Sequence, residues 1–295
     1  MARTLEVKIT AQLHGMRVGE VLRNKLLVSG SLIKELKKYP DGILINGKHI
    51  RTVDCVSEGD VLSITMHDAP SENIIPEKTE LDIMYEDEDI LVINKPSGMP
   101  THPSQGHFTG TLANGVMYHY AQKGEEHMFR AANRLDKDTS GVMCIAKNSH
   151  AHDRLSREIQ THELRRKYLA IAVGELRGEG TVDAPIARLD GLKRYVSDDG
   201  QRAVTHYRAV KILNGYTLTE LCLETGRTHQ IRVHMAYIGH PLLGDWLYGE
   251  ETDIFSRQAL HSSYLRLIHP VTGEEMEFVP PLPEDMESFL TKKIK

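Results

Sequence analysis

Apolar positions along the chain recur with two periods, and the switches between them mark out the elements. Residues 4 to 10 alternate weakly, as an edge strand does. Between 17 and 27, Val18, Val21, Leu22 and Leu26 share one helical face, with Arg23 and Lys25 on another. A second helix is predicted over 31–39, stopped by Pro40-Asp41-Gly42. Two short strands follow, at 43–48 and 61–64, with Glu58-Gly59-Asp60 as the turn between them. Residues 67–80 are polar and punctuated by Pro70 and Pro76, which reads as a linker.

Beyond the linker the pattern lengthens. Strands are predicted near 81–85 and 90–94, the second broken by Lys95-Pro96-Ser97-Gly98-Met99-Pro100. A loop to Gly110 carries His102, Ser104 and His107, side chains suited to lining a cleft. Thr111 caps a helix to 121 with Leu112, Val116 and Met117 inward, and another helix over 149–159 follows the apolar run Val142-Met143-Cys144-Ile145-Ala146. Residues 164–174 alternate Tyr168, Ala170 and Ala172 against Leu169, Ile171 and Val173. Strands near 181–186, 203–213 and 216–223 precede a helix capped by Thr228 and running to 238, and a last helix is predicted over 283–293. The whole reads as α+β, with a small α/β unit over 1–75 and a larger one over 76–295.

Composition narrows this without changing it. At 295 residues, 40% hydrophobic and 26% charged, the chain has the balance of a soluble globular protein. No stretch approaches the ~20 apolar residues of a membrane span, and the N-terminus lacks the apolar block of a signal peptide, so a cytoplasmic protein is expected. Cys55, Cys144 and Cys222 are odd in number and far apart, which suggests reduced core thiols. The sixteen histidines form no metal-ligand spacing, and no metal is expected. A net charge of −5 confines any phosphate binding to local patches.

The candidate chemistry centres on Arg134-Leu135-Asp136-Lys137-Asp138-Thr139-Ser140-Gly141. A turn rich in Asp, Thr, Ser and Gly that feeds an apolar strand sets Asp136 at the rim of a sheet, both shielded and presented. A shielded carboxylate needs a cation, and Arg134, Lys137 and the distant Arg232 are the candidates. A turn that merely bonds its own backbone reads equally well from these residues.

The string Asn133-Arg134-Leu135-Asp136, with Thr139-Ser140-Gly141 just after it, resembles the catalytic motif of the RluA-type pseudouridine synthases. Asp89-Ile90-Leu91-Val92-Ile93-Asn94-Lys95-Pro96 resembles the strand that opens that family's catalytic domain. Gly226-Arg227-Thr228-His229-Gln230-Ile231-Arg232-Val233-His234, running on to Gly244-Asp245, resembles its late motif. The likeness spans roughly residues 80–280. The first 70 are loosely similar to the RNA-binding domain of ribosomal small-subunit protein four, at Ile45-Asn46-Gly47 and Glu58-Gly59-Asp60-Val61-Leu62, with Lys34, Lys37 and Lys38 as phosphate contacts.

The resemblance implies a mixed, mainly antiparallel catalytic sheet and the isomerisation of uridine to pseudouridine in structured RNA, ribosomal before transfer RNA, by a monomer. Nothing is gained or lost in that reaction, so no cofactor is expected. Asp136 becomes the catalytic carboxylate, Arg232 its bidentate partner and Tyr168 the ring stacked on a flipped uracil. Asn133, Arg134, Thr139, Arg165, Lys167, Arg227 and Ile231 are placed on the RNA. The family commonly has His where Asn133 stands, which bears on target choice. Two rivals stay open: a hydrolase pairing Asp136 with Asp138, disfavoured because the two side chains splay around a turn, and a noncatalytic RNA-binding or ribosome-assembly protein on the same fold.

Overall fold

The computed structural model describes residues 2–67, 73–104, 108–189, 191 and 193–294. Residues 68–72 of the expected linker, and His107, lie outside these.

The N-terminal part comprises β1 (Arg3–Lys8), α1 (Val18–Asn24), α2 (Gly30–Leu36), β2 (Ile43–Ile45), β3 (Lys48–His49) and β4 (Val61–Met66). Its sheet runs β1-β4-β2-β3, so β1 is an edge strand as the weak alternation suggests. Val18, Val21 and Leu22 of α1 and Leu32, Ile33 and Leu36 of α2 are buried with Leu5, Ile43, Leu62 and Ile64 in a core of their own. Ser29 caps α2, its hydroxyl accepting from the Leu32 amide.

The turn between strands differs from the expectation. β2 doubles back into β3 through Asn46-Gly47, both at positive φ, which is the conformation a two-residue hairpin needs. Glu58-Gly59-Asp60 instead leads into β4 and is held by backbone bonds to Ile9.

The larger part contains β5 (Ile83–Glu86), β6 (Ile90–Lys95), α3 (Leu112–Gln122), β7 (Arg130–Ala131), β8 (Ser140–Ala146), α4 (Ser149–Gln160) and β9 (Arg165–Val173). It continues with β10 (Glu179–Asp183), β11 (Ile186–Arg188), β12 (Arg194–Val196), β13 (Val204–Leu213), β14 (Tyr216–Leu223) and α5 (Gln230–Tyr237). It ends with β15 (Leu260–Ile268), β16 (Glu275–Phe278) and α6 (Glu284–Ile294).

One sheet organises it, in the order β10-β13-β14-β9-β15-β8-β6-β5, with β16 beside β15 and β7 beside β8. Every pairing is antiparallel except that of β8 with β15, so the sheet is mixed and mainly antiparallel, as expected. The unbroken apolar run of β8 is explained by burial on both faces. Met143 and Ile145 face the core built on α3 and α5, whereas Val142, Cys144 and Ala146 face that built on α4. Of the thiols expected in the core, only Cys144 is fully buried; Cys55 is exposed because it sits in an irregular loop.

The two parts touch. Arg3 on β1 donates from Nε and Nη2 to both oxygens of buried Asp89, at 3.0 and 2.8 Å, and the Ser29 hydroxyl bonds Asp153 on α4.

Candidate active site

The turn before β8 is gripped from several directions. The Thr101 hydroxyl donates to the Leu135 carbonyl at 2.8 Å, Lys95 Nζ to that of Lys137 at 2.9 Å, and Arg257 Nη1 to that of Asp138 at 3.0 Å. The turn closes on itself through the Thr139 amide and the Asp136 carbonyl, at 3.1 Å. Donors from three separate segments hold this backbone and leave the Asp136 side chain, 27% exposed, at the cleft.

Lys95, fully buried, also donates to the carbonyls of Pro96 and Met99, both at 2.8 Å. Burial pulls it down to about 7, against the pull of Asp138 and Asp136. Three carbonyl acceptors require three hydrogens, so the ammonium is the form that satisfies this arrangement.

α5 supplies the cation. Arg232 donates from Nε and Nη2 to Asp245 at 2.7 and 2.8 Å, and from Nη1 to Asp136 Oδ2 at 3.3 Å. Its guanidinium lies 5.1 Å from the centre of the Tyr248 ring. The stronger, bidentate pair is with the wholly buried Asp245, so Arg232 is fixed whether or not Asp136 is engaged.

His229 precedes α5 at φ +57°, a conformation rare for side chains other than glycine. It places Nε2 3.8 Å from Asp136 Oδ2 and Nδ1 2.9 Å from the Tyr248 hydroxyl. That hydroxyl accepts from the Arg194 amide at 2.9 Å, and an amide can only donate. The hydroxyl hydrogen is then free for Nδ1. Burial lowers His229, and a neutral ring so bonded carries its own hydrogen on Nε2, facing Asp136.

Asp136 opens on a cleft of about 830 Å³ whose wall includes Tyr168, Ile231 and Arg232. Tyr168 is 4% exposed, and burial raises its hydroxyl. Of the residues singled out in the sequence, Asn133, Arg134, Thr139 and Arg227 also line the cleft, with His102 and Ser104. Arg165 and Lys167 do not. Strand alternation turns them away from the Tyr168 side and puts Arg166 in the cleft, while Lys167 pairs with Glu220 at 3.4 Å. Asn133 is occupied by the fold: its Oδ1 accepts from the Cys144 amide at 3.0 Å and its Nδ2 donates to Val142 at 3.4 Å. Thr139 is likewise buried, accepting from Gln258 at 3.3 Å.

Asp245, His229, Tyr248 and Lys95 escaped the sequence reading as site residues, and Arg166 figured there only as part of the basic run 165–167, a track for phosphate. Arg166 was accessible through the same two-residue period that placed Tyr168. Among the described residues only Asp87, Asp89 and His269 cluster suitably for a metal, and their side chains already bond one another, Tyr85, Arg3, Asn148 and backbone amides.

Comparison with known proteins settles the class. A sequence profile of the family described as RNA pseudouridylate synthase matches residues 89–237, half of the chain. The chain belongs to that family. The pseudouridine synthase is 43% identical to the RNA pseudouridine synthase YjbO of Bacillus subtilis, over 90% of this chain and 95% of the relative. It is 40% identical to ribosomal large subunit pseudouridine synthase D of Escherichia coli, over 95% of this chain and 92% of the relative. Among solved structures, human RNA pseudouridylate synthase domain containing 4 aligns with a TM-score of 0.58 and 27% identity, covering 72% of this synthase and 92% of the human chain. The synthase therefore acts on RNA as an isomerase. Among the described residues no helix is long and apolar enough to cross a membrane.

Proposed function

We propose that this synthase isomerises uridines of large-subunit ribosomal RNA, with Asp136 as its catalytic carboxylate. The observation that carries the assignment is the Asp136 carboxylate at the wall of an open cleft, 3.3 Å from a guanidinium that Asp245 already holds. The rebuilt nucleoside balances internally: the C1′–N1 bond breaks, the uracil turns, C1′ joins C5, and the C5 hydrogen is replaced by one on N1. A carboxylate serves this as nucleophile or base, and Arg232 with the Nε2 hydrogen of His229 orients it.

A stacked uridine does not present these atoms, so the nucleotide is extruded into the cleft at a cost of a few kcal/mol. Tyr168 and Ile231 offer the wall against which uracil packs. Arg134, Arg166 and Arg227 surround the opening and take the flanking phosphates, while Arg165 and Lys167, outside it, meet more distant RNA. The ribosomal target is supported by the relatives named for the large subunit, the Escherichia coli one aligning over 92% of its length. A cytoplasmic monomer with a boundary near residue 75 fits the same reading, the first part lending exposed Lys34, Lys37 and Lys38 to RNA.

The test is a transcriptome-wide pseudouridine map from cells carrying wild type, no protein, or Asp136→Asn. Sites in large-subunit RNA are expected to vanish in the last two, while purified Asp136→Asn still binds RNA. A map restored by Asp136→Asn would overturn the catalytic assignment, and lost sites confined to transfer RNA would overturn the target.

A further inference from the structure

The turn that carries Asp136 is held by a second arginine fork, built like the first. Arg257 donates from Nε and Nη2 to the two carboxylate oxygens of Asp285, at 2.6 and 2.9 Å, and from Nη1 to the Asp138 carbonyl at 3.0 Å. Its guanidinium lies 5.5 Å from the centre of the Phe255 ring, as that of Arg232 lies 5.1 Å from the Tyr248 ring. In both, a carboxylate fills the fork, an aromatic ring lies nearby and Nη1 turns to the stretch 136–138. The first fork addresses the Asp136 side chain and the second the backbone two residues on.

Asp285 belongs to α6, and the packing of that helix decides where it stands. Met286 and Phe289 are buried with Leu243, Phe255 and Ala259, and the Phe289 ring meets that of Phe255 edge-on at 6.2 Å. Arg257, 7% exposed, spends its remaining bonds on the Gln258 and Leu260 carbonyls, so its reach to Asp138 is set by its carboxylate partner. The two forks also meet through the backbone. Gly244, at φ +73°, lies so close to residue 257 that a Cβ on it would sit 2.1 Å from the Arg257 carbonyl oxygen, and Asp245 comes next in the chain. A displaced Arg257 therefore acts on the turn directly and on the Asp245 fork through Gly244.

We propose, on the reading of Asp136 as the catalytic carboxylate, that Asp285 and Arg257 are positioning residues through which α6 sets where that carboxylate stands against the extruded uridine. Neither Arg257 nor any residue of α6 lines the cleft, so the pair acts through the turn and not on RNA in the cleft. Thr101 and Lys95 still hold the carbonyls of Leu135 and Lys137 when the pair is broken, which keeps the turn folded and loses its placement. Misplacement of a reacting group slows the chemical step, whereas binding of the RNA by the cleft walls persists.

The experiment follows pseudouridine formation with the full-length protein in excess over total RNA from cells lacking it, which contains the target whatever its class. It yields the rate constant at saturating protein and the protein concentration that gives half of it. A misfolded fraction raises the second and leaves the first unchanged. Asp285→Asn is expected to lower the saturated rate about tenfold to a hundredfold and to leave the half-saturating concentration within about twofold of wild type. Asp285→Glu keeps the charge and both oxygens and should recover most of the lost rate. Arg257→Lys retains a cation beside Asp285 but lacks the fork that holds the carboxylate and the Asp138 carbonyl together, so it should be slowed as Asp285→Asn is. Glu284→Gln alters an exposed charge one position away and sets the background. A saturated rate in Asp285→Asn or Arg257→Lys within about twofold of Glu284→Gln would overturn the positioning role, as would a loss confined to the half-saturating concentration. Asp136→Asn, run beside them, should form no product. Product there removes the catalytic reading of Asp136, whereas an unslowed Asp285→Asn beside an inactive Asp136→Asn removes only the part assigned to α6.

Discussion

Arg232 serves two carboxylates unequally, at 2.7 and 2.8 Å to Asp245 and 3.3 Å to Asp136, and that inequality organises the site. A guanidinium already satisfied in its fork can steady the Asp136 carboxylate without clamping it. Tyr248 extends the arrangement, since its hydroxyl joins the Arg194 amide to His229 Nδ1. Tyr248→Phe keeps the ring beneath Arg232 and removes that bridge. Turnover is expected to fall about tenfold or more, in line with ~1.4 kcal/mol for one hydrogen bond in a buried network. Nitrogen NMR of the His229 ring should show hydrogen on Nε2 in wild type and a mixture of tautomers in the variant. Finding hydrogen on Nδ1 in wild type would sink the arrangement. That Asp136, Tyr168 and Arg232 share one cleft could be anticipated, because each sits in a string that resembles the family's. The place of His229 and Tyr248 there could not, because their pairing spans 19 residues and depends on a left-handed turn that the string does not announce.

At the scale of elements, the turn that carries Asp136 depends on how β8 meets β15. These strands run parallel where Ser140 and Gly141 pair with His261 and Ser262. Gly141 has φ +112°, and a Cβ there would lie 2.2 Å from the Ser262 carbonyl oxygen, a clash with backbone. Gly178, at φ +73°, has open space around its missing Cβ. Gly178→Ala should therefore cost only the conformational strain of about 1–2 kcal/mol. Gly141→Ala should cost several kcal/mol and lower both the unfolding temperature and the yield of folded protein. Equal losses in the two variants, measured by thermal unfolding, would refute the close-approach argument. Long elements such as α3, α4 and β9 were readable because burial imposes a period on them, and β8 because burial on both faces makes it an unbroken apolar run. The three-residue strands β11 and β12 are too short to show either. The start of α5 was misplaced for a different reason. Gln230, not Thr228, secures the turn there, its side-chain oxygen accepting from the Arg227 amide at 3.0 Å and the Thr225 hydroxyl at 2.7 Å.

At the scale of the molecule, the seating of the first part on the second was not legible, because Arg3 finds Asp89 across 86 residues with no local pattern to signal it. The distribution of buried ionisable groups gives another whole-chain property, sensitivity to acid. Burial lowers His127, His150, His152, His229 and His234, and takes His261 to about 4. Between about pH 6.5 and 4 the unfolded chain binds protons that these folded histidines refuse, so stability falls as pH falls through that window. The carboxylates add to the loss lower down. Burial would raise Glu86, but its bonds to Lys123, His119 and Lys147 outweigh that and take it to about 2. Asp87 is likewise depressed, burial being outweighed by bonds from His269 and backbone amides. Stability from these two is present above the ordinary carboxylate range and disappears on acidification toward their folded values. Glu158, raised by burial, opposes the trend as a single group. The unfolding temperature should therefore decline from near pH 6.5 downward, with a steeper fall below about pH 4.5. Replacing His261, whose Nδ1 lies 3.0 Å from the Ser140 hydroxyl, with Asn should flatten the upper part of that decline. A calorimetric profile that stays level from pH 7 to 5 in wild type would show that the buried histidines do not set the acid limit.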